Sequence, residues 1–547
     1  MEIQKFTVGV LERLHKMRVG TVLRDQLRGA LRPDPRLGDV EERLLDLGEM
    51  RFVHHLILRV GTDTVCANSV PMMPTASATD GPAAGVVSAL MASSRDQIRE
   101  VVVVGGGIAG LTAGHALRDR DVVVLEAADR AGGRIHSEPR GENWLNFGAH
   151  VFAGDSSASG KLLAELGVHA EPVPGRLAAV SLNGKIVSRG PVETFPFRLP
   201  MPVGSRLALL RAGLRLRLAV RQYAKIAAVR DGEDAVERQQ RLLEFLDDRS
   251  FAEFAGPLPE DVDLLFRSTL TRSSGEPEEL AAGYGVGYFH LVWDKKGGLS
   301  RNILGGSGVA IDALIAELGE RVRLGTRVTS VERTPAGVKV EVADGRSIEA
   351  RAAIVATPAS ATREIVTDLP ADTAAALAAI PYGPYVVGAF LTNETGPMPW
   401  DGMYALATPK RSFSMLFNTA NVLRRAGVPR TPGGSFMVYA AAGLARRLDS
   451  LDDEDVRDLF LADLHAVLPA TRGLVEEVVI KRWEKGLPFP RVGRSRLQPA
   501  LTRSLAPIWL AGDYLGTWYT ETAVQTAIAA AEGARAALLL AIRAHPA

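Results

Sequence analysis

The chain has very little cysteine: Cys66 is the only one in 547 residues. A single thiol excludes an intrachain disulfide framework and a cluster of thiolate metal ligands, and it is typical of a protein from a reducing compartment. We interpret Cys66 as a buried, unreactive side chain and predict no metal site.

The chain also lacks an excess of charge and long apolar runs. Its formal net charge of +1 gives no basic field that would attract nucleic acid. No segment reaches the ~18 to 20 uninterrupted apolar residues of a membrane-spanning helix, and residues 1–15 lack the apolar core of a secretory signal. We expect a cytoplasmic protein without a nucleic-acid partner, with peripheral contact to a membrane as the alternative.

What is present divides the chain into segments. Residues 1–97 are predicted to be an N-terminal extension and linker, because residues 68–94 are rich in Pro, Ser, Thr, Ala and Gly without periodicity. Met91 stands shortly before the first predicted strand, so the natural protein could begin there. A small accessory domain in the first 65 residues is the other interpretation.

From Glu100 the pattern reads strand, Gly-rich turn, helix, strand, and α/β patterns recur around residues 305–361 and near the C-terminus. This predicts an α/β fold in which one Rossmann-like domain is assembled from residues 98–194, 296–365 and 501–547. A helical insertion, residues 195–295, and a mixed segment, residues 366–500, are predicted to form an α+β substrate domain that covers the cofactor.

The first turn carries a dinucleotide motif. Gly105, Gly107 and Gly110 form G-x-G-x-x-G at the opening of a helix, with Ile108 and Ala109 between them, so backbone N–H groups can face a diphosphate. Glu126 ends the next strand about twenty residues later, where a carboxylate can bind both ribose hydroxyls and disfavours a 2′-phosphate.

The residues that follow are more specific. The stretch from Val101 through Glu126 to the run Asp129-Arg-Ala-Gly-Gly-Arg134 resembles the amino terminus of the flavin-containing amine oxidase superfamily, which includes monoamine and polyamine oxidases, protoporphyrinogen oxidases and phytoene desaturases. The resemblance implies FAD, a close passage of the chain at Gly133 and an approach of Arg134 to the phosphates. It also implies that Gly148, Ala149 and His150 pass beside the flavin ring, and we favour a structural role for His150 over proton transfer.

Two later segments extend the resemblance from Arg99 to the C-terminus. It implies that Val328 contacts the adenine through its backbone and that Gly512 and Asp513 hold the ribityl or phosphate portion. It also implies that a helix beginning near Thr522 and Ala523 points its N-terminus at the flavin, although the family usually has Gly at the position of Thr522. No cysteine lies near the C-terminus, so we expect non-covalent FAD.

Three further features bear on the substrate. The lysine that the amine oxidases of this superfamily hold near the flavin is replaced by Val387 or a neighbour, and Tyr519 with Trp483 or Phe489 is predicted to form an aromatic cage. The insertion resembles that of porphyrinogen oxidases and desaturases. Its arginines, spaced among Leu and Ala, indicate a helix that either rests on an anionic membrane or packs on the core; they are Arg206, Arg211, Arg215, Arg217 and Arg221.

These features predict an FAD-dependent oxidoreductase that removes hydride equivalents from a bulky, largely apolar small molecule, because an apolar wall at Val387 favours a ring or polyene over an ammonium. The electrons would pass to oxygen or another acceptor. Amine oxidation at a C–N bond and redox-neutral isomerisation are the alternatives. The sequence identifies no catalytic residue and leaves the substrate, the acceptor and the oligomeric state open.

Overall fold

The computed structural model describes residues 98–173, 179–293, 301–425, 427–517 and 519–544. Contacts divide the chain into two units, Met1–Gln97 and Ile98–Ala547, and the described residues all belong to the second. The predicted extension and linker, residues 1–97, and the expectation for Cys66 therefore lie outside the described residues.

The strands, in chain order, are β1 (Arg99–Val104), β2 (Val122–Leu125), β3 (Ser137–Arg140), β4 (Asn143–Asn146), β5 (Ala170–Pro172), β6 (Ala179–Leu182), β7 (Lys185–Val187), β8 (Arg301–Ile303), β9 (Val322–Arg323), β10 (Val328–Thr334), β11 (Gly337–Val342), β12 (Ser347–Val355), β13 (Tyr382–Thr392), β14 (Ala405–Ala407), β15 (Met415–Asn418), β16 (Gly434–Ala441), β17 (Val475–Pro488) and β18 (Ile508–Leu510). The α-helices are α1 (Ile108–Ala116), α2 (Ala158–Glu165), α3 (Phe195–Arg198), α4 (Val203–Ala227), α5 (Ala235–Glu244), α6 (Phe251–Ala255), α7 (Glu260–Leu270), α8 (Ala282–Trp293), α9 (Gly308–Leu318), α10 (Ala359–Ile365), α11 (Ala371–Ala378), α12 (Gly443–Arg447), α13 (Asp453–Val467), α14 (Gln498–Thr502) and α15 (Tyr519–Ala544).

The first sheet has the order β10-β11-β12-β1-β2-β9, and β18 pairs with the last part of β12. Five of its strands, β18, β12, β1, β2 and β9, run parallel to one another. Val101 and Val103 pack into one apolar cluster while Val102 and Val104 pack into another on the opposite face. A strand buried on both faces is expected to be continuously apolar, which is why this one reads as an unbroken run of valine.

Parallel pairing brings distant segments to one edge of this sheet. The carboxyl ends of β1, β2, β12 and β18 are in register, so the residues that follow them, including Gly105, Glu126 and Gly512, emerge side by side. Ligands of open α/β sheets bind at such an edge. The predicted α/β class with a discontinuous dinucleotide domain is confirmed.

The second sheet has the order β17-β13-β16-β15-β14-β6-β7 and is antiparallel except where β6 meets β14. Its last two strands come from residues 179–187, which the sequence interpretation placed in the dinucleotide domain. They belong to the second sheet because Ala179 and Val180 pair with Leu406 and Ala407, far along the chain. A local pattern does not specify such a partner.

Helices α3 to α8 form the predicted insertion. The arginines of α4 bond within the protein: Arg206 donates to the carbonyl of Met201, Arg215 to that of Phe254, and Arg217 pairs with Glu193. These contacts favour the interpretation in which α4 packs on the core. Contact with a membrane stays a prediction.

Helix α15 is, within the described part of the chain, the one helix long and apolar enough to span a membrane. Its small side chains, among them Ala527, Ala530, Ala531 and Ala534, pack into the same apolar cluster as α1 and the parallel sheet. The apolar composition of α15 is therefore explained by close packing inside the fold.

We predict that a chain starting at Met91 folds and binds FAD like the full chain, because Ile98–Ala547 forms a compact unit of its own. Thermal unfolding followed by circular dichroism should give the same midpoint for both proteins within ~1 °C, a shift that corresponds to a few tenths of a kcal/mol at this size. An insoluble or flavin-free short form would assign residues 1–65 a packing role.

Candidate active site

A single cavity of about 1200 Å³ runs along the edge where the parallel strands end and continues to the second sheet. It exceeds the ~300 to 1,000 Å³ of ordinary ligand pockets, so it has room for a dinucleotide and a second molecule. Most of the predicted cofactor residues line it. They are Gly105, Gly107, Ile108, Ala109, Glu126, Gly133, Arg134, Gly148, Ala149, His150, Val328, Gly512, Asp513 and Ala523.

The glycine turn leaves a helix N-terminus open to the cavity. Gly105 has a φ of +104°, and a Cβ on Gly110 would lie 1.8 Å from the carbonyl oxygen of Gly105, so helix and strand touch there. Gly110 itself therefore packs beneath the turn and does not line the cavity. Gly107, the residue before α1, has no side-chain cap, and a Cβ there would meet no atom within 4 Å. Uncapped N–H groups beside open space fit a diphosphate.

Glu126 is held in place by two backbone groups. Its carboxylate accepts hydrogen bonds from Gly106 N at 2.6 Å and from Ala128 N at 2.8 Å. Each oxygen keeps a second lone pair for another donor, such as a ribose hydroxyl. The cavity passes on to Val328, which stands next to it at the start of β10, as the predicted adenine contact requires.

Arg134 and Asp513, predicted as separate cofactor ligands, bind each other. Two parallel hydrogen bonds of 2.7 and 2.9 Å join the guanidinium to the carboxylate, and Arg134 also donates to the carbonyl of Gly486 on β17. Burial opposes the charge on Arg134, but Asp513 outweighs it and raises the pKa of the guanidinium. The pair lines the cavity, so a bound cofactor would meet it as one planar unit.

The start of α15 differs from the prediction in one respect. Ala523 lines the cavity, whereas Thr522 is buried beside Gly516 and does not, because successive helix residues point about 100° apart. Glu521 on the same turn accepts hydrogen bonds from the backbone of Ala158 and Ser159 at the start of α2. It therefore caps a neighbouring helix.

His150 lies between the dinucleotide half and the far chamber. Burial lowers the pKa of His150 to about 4; the cation of Arg272 acts in the same direction, and the hydrogen bond to Gly148 opposes both. The carbonyl of Gly148 can only accept, so Nδ1, 3.0 Å away, carries the proton of the neutral ring. Nε2 is left as a buried acceptor with no partner among the described residues.

The far chamber is aromatic, and only part of the predicted cage belongs to it. Tyr519 and Trp483 line it; Trp483 donates to the carbonyl of Phe147 at 2.6 Å. Phe489 does not line it: it lies just beyond the end of β17 and packs against Leu280 and Gly275 in the helical core.

The sequence interpretation missed side chains of the second sheet that form the chamber wall. Tyr385, Phe417, Met437 and Tyr439 all line it, and Tyr439 lies 5.3 Å from Tyr385 and 5.9 Å from Phe417 between ring centroids. Strands β13, β15 and β16 are apolar at most positions and buried on both faces. Such runs do not tell which of the two faces meets the cofactor.

Val387 lies on the face of the second sheet that lines the chamber, as the predicted apolar wall requires. Its partner on the neighbouring strand, however, is a lysine. Val387 pairs directly with Lys481 on β17, and both line the cavity. Directly opposed residues of an antiparallel pair share one face of the sheet. An ammonium group therefore faces the chamber from the neighbouring strand. Among the described residues no group of three or more His, Cys, Asp or Glu side chains is arranged to hold a metal ion.

We predict opposite effects for two glycine substitutions in the turn. Gly110→Ala should destabilise the flavin-free protein by about 1 to 3 kcal/mol or more, because its methyl collides with Gly105. Gly107→Ala should leave the unfolding midpoint unchanged but weaken FAD binding, because its methyl enters the space of the diphosphate. Thermal unfolding and FAD titration check both, and equal behaviour of the two variants would contradict the assigned positions.

We predict that Glu126→Ala weakens FAD binding by about 2 to 4 kcal/mol, because the ribose loses a charged acceptor and two backbone N–H groups lose their partner. Equilibrium dialysis of FAD measures this. Asp129→Ala removes a charge from the same loop and serves as the control, with an expected effect below ~1 kcal/mol. Unchanged binding by Glu126→Ala would show that the ribose lies elsewhere.

Among curated proteins, the chain is similar to amine oxidase [flavin-containing] A of Bos taurus, 27% identical over 287 residues, which are 50% of this chain and 52% of that protein. It is also similar to amine oxidase [flavin-containing] B of Homo sapiens, 27% identical over 270 residues, which are 47% and 50%. The chain spans about half the length of the curated relatives it matches.

Two solved structures share the fold. Putrescine oxidase bound to putrescine superposes with a TM-score of 0.65 at 20% identity, covering 80% of this chain and 99% of that one. Cyclohexylamine oxidase from Brevibacterium oxydans gives 0.66 at 18% identity, covering 81% and 100%. The model of the family described as flavin containing amine oxidoreductase matches residues 108–538. The resemblance stated from the sequence is thereby confirmed, and the protein belongs to the flavin containing amine oxidoreductase family, whose members are FAD-dependent oxidoreductases.

Proposed function

We propose that this protein is an amine oxidase that uses FAD to oxidise the C–N bond of a small molecule. The observation that carries the proposal is the continuous cavity, which joins the dinucleotide turn to an aromatic chamber without an intervening wall. The sequence interpretation put a porphyrinogen- or desaturase-like substrate first and amine oxidation second. The relatives are monoamine, putrescine and cyclohexylamine oxidases, and they support the second better.

The overall reaction converts an amine, oxygen and water into a carbonyl compound, ammonia and hydrogen peroxide. The substrate loses two electrons and two protons to become an imine, which water hydrolyses, and oxygen takes up the electrons and protons. FAD, when bound, supplies the two-electron acceptor at the C–N bond. Oxygen as the final acceptor is part of the proposal.

The chain's own residues would hold the amine in its reactive form. Arg272 and Lys481 both face the chamber, and two nearby cations disfavour an ammonium and favour a neutral amine. Only the neutral amine has the lone pair that assists removal of hydride from the adjacent carbon. The neutral ring of His150 can accept an N–H of that amine at Nε2.

The aromatic side chains would orient the substrate and exclude water. Tyr385, Phe417 and Tyr439 form a continuous wall on one face of the second sheet, and Trp483 is fixed by its hydrogen bond to Phe147. Rings held in this way present apolar surface at little further cost in conformational entropy. This arrangement supports a substrate with an apolar part next to its C–N bond.

The mode of cofactor attachment and the location of the protein are also proposals. We propose that FAD is held without a covalent bond to cysteine, because the one cysteine of the chain, Cys66, precedes the dinucleotide domain. We keep the cytoplasm as the proposed compartment. Exposed Leu539 and Leu540 near the end of α15 are the apolar surface that a peripheral membrane contact would use.

We predict that anaerobic mixing with a suitable amine bleaches the bound flavin, and that turnover in air releases ammonia and hydrogen peroxide in equal amounts. Stopped-flow absorbance at the flavin band would follow the first, with a panel of primary amines and amino acids. A porphyrinogen and a polyene are the controls, and their rates should be negligible.

Fast bleaching by the porphyrinogen or the polyene, with no ammonia from any amine or amino acid, would reject amine oxidation. The FAD assignment would stand in that case, since it depends on the family and on the cofactor half of the cavity. Substrate reduction of the flavin that is reversed without any acceptor would instead favour an isomerase.

A further inference from the structure

Arg272 and Lys481 are the two cations that the far chamber receives without a carboxylate partner among the described residues, and the ammonium of Lys481 lies over the Trp483 ring. Arg272 lies in the turn after α7, and its side chain lines the cavity. Its guanidinium lies over the rings of Phe417 and Tyr288, 5.1 and 5.9 Å from their centroids, and it hydrogen-bonds Tyr288. Within the described residues it forms no ion pair.

Several other arginines and lysines of the cavity are bonded to groups of the protein itself. Arg134 is neutralised by Asp513, Lys485 donates to Ser360, and Arg130 is bonded to backbone carbonyls beside the glycine turn. Arginine remains charged at all physiological pH values. A charge removed from water without a counterion is costly, and aromatic faces compensate only in part.

The carboxylates that line the cavity belong to its cofactor half. Glu126 is bonded to backbone N–H groups, Asp513 to Arg134 and Glu521 to the start of α2. Asp129 and Glu364 stand on the loops after β2 and on α10, beside the dinucleotide turn and the strand ends. The far chamber therefore has no carboxylate, among the described residues, that could bind the second ammonium of a diamine. It does have a cation, Arg272, that could bind an anionic group of a substrate.

The hydroxyl of Tyr439 is a second feature of this chamber that points to a ligand. The hydroxyl of Tyr439 is buried and has no hydrogen-bond partner among the described residues, although a buried donor normally has one. The ring of Tyr439 stacks on that of Phe417, and the guanidinium of Arg272 lies over Phe417 as well. A carboxylate could accept hydrogen bonds from Arg272 and from Tyr439 together.

We propose that the substrate of this enzyme is an amine that also carries a carboxylate, which Arg272 binds with the hydroxyl of Tyr439. This proposal rests on the proposed amine oxidation. An amino acid with an apolar side chain meets all requirements: its carboxylate faces Arg272, its amine faces the acceptor Nε2 of His150, and its side chain lies against Tyr385 and Phe417. A porphyrinogen also carries carboxylates, so the test must separate the two sources.

The experiment compares pairs that differ only by the carboxylate: phenylalanine with phenethylamine, and tryptophan with tryptamine. For the natural chain we expect the second-order rate constant of anaerobic flavin reduction to be about 100-fold higher for each amino acid, the size of a charge-assisted contact. Arg272→Met should remove that preference, so that each amino acid reduces the flavin no faster than its matching amine. Arg272→Lys should retain part of it.

Binding without turnover provides an independent measurement. Calorimetric titration of the holoenzyme with benzoate and with benzamide should show that benzoate binds more tightly, and that Arg272→Met loses this difference. Lys481→Met is the matched control, because it removes another cavity cation and tests whether overall positive potential is sufficient. Retained flavin absorbance and an unchanged unfolding midpoint would show that each variant is folded.

Three results would overturn the carboxylate assignment: equal rates for phenylalanine and phenethylamine in the natural chain, benzoate affinity unchanged in Arg272→Met, or an equal loss in Lys481→Met. Benzoate binding that depends on Arg272, with no amine or amino acid oxidised, would instead support the carboxylate site and reject amine oxidation. Porphyrinogen oxidation that depends on Arg272 and releases no ammonia would identify the porphyrinogen as the carboxylate source.

Discussion

The ion pair between Arg134 and Asp513 connects the parts of the chain on which the site depends. Arg134 follows the first βαβ unit, Asp513 follows the last parallel strand, and Arg134 also donates to Gly486 on the second sheet. The carboxylate is almost fully buried, with 6% of its side chain exposed. Replacing either partner alone would leave a buried charge unpaired, which is far more costly than the net stability of the intact pair. The two sheets are thus tied together beside the cofactor half of the cavity.

Charge is distributed unevenly along this cavity. Near the glycine turn, Glu126 is bonded to backbone N–H groups and Arg134 is paired with Asp513, so that half can receive a cofactor with its own diphosphate charge. In the chamber on the second sheet, Arg272 and Lys481 face apolar and aromatic side chains, and the described walls contribute no acid. Interactions between charges are stronger beside such an apolar wall than in bulk water, because fewer polar groups screen them. A neutral amine and an anionic substituent are both compatible with such a field, whereas a second ammonium is not.

The composition of helices α4 and α15 is compatible with contact to a membrane, but their tertiary contacts provide another explanation. The arginines of α4 are consistent with a membrane surface when read along the sequence, yet several donate to carbonyls or carboxylates of the same fold. The apolar length of α15 is sufficient for a membrane span, yet its alanines allow close packing against α1 and the parallel sheet. In both helices the tertiary partners account for residues that the pattern alone leaves ambiguous.

The sequence by itself determined the dinucleotide half of this protein. The valine run, the glycine turn and Glu126 act over short distances, where strand, turn and helix geometry follow from neighbouring residues, and their placement agrees with expectation. The family resemblance also predicted that Asp513 belongs to the cofactor site. It did not predict that Asp513 binds Arg134. Only the tertiary structure decided the substrate half. Arg272, Lys481 and Tyr439 come from elements far apart in the chain, and their convergence depends on strand register. Thr522 was misplaced because a shift of one residue in a helix turns a side chain away from the cavity. Phe489 was misplaced because it lies beyond the end of β17 and packs into the helical core, a partner that the local sequence does not specify.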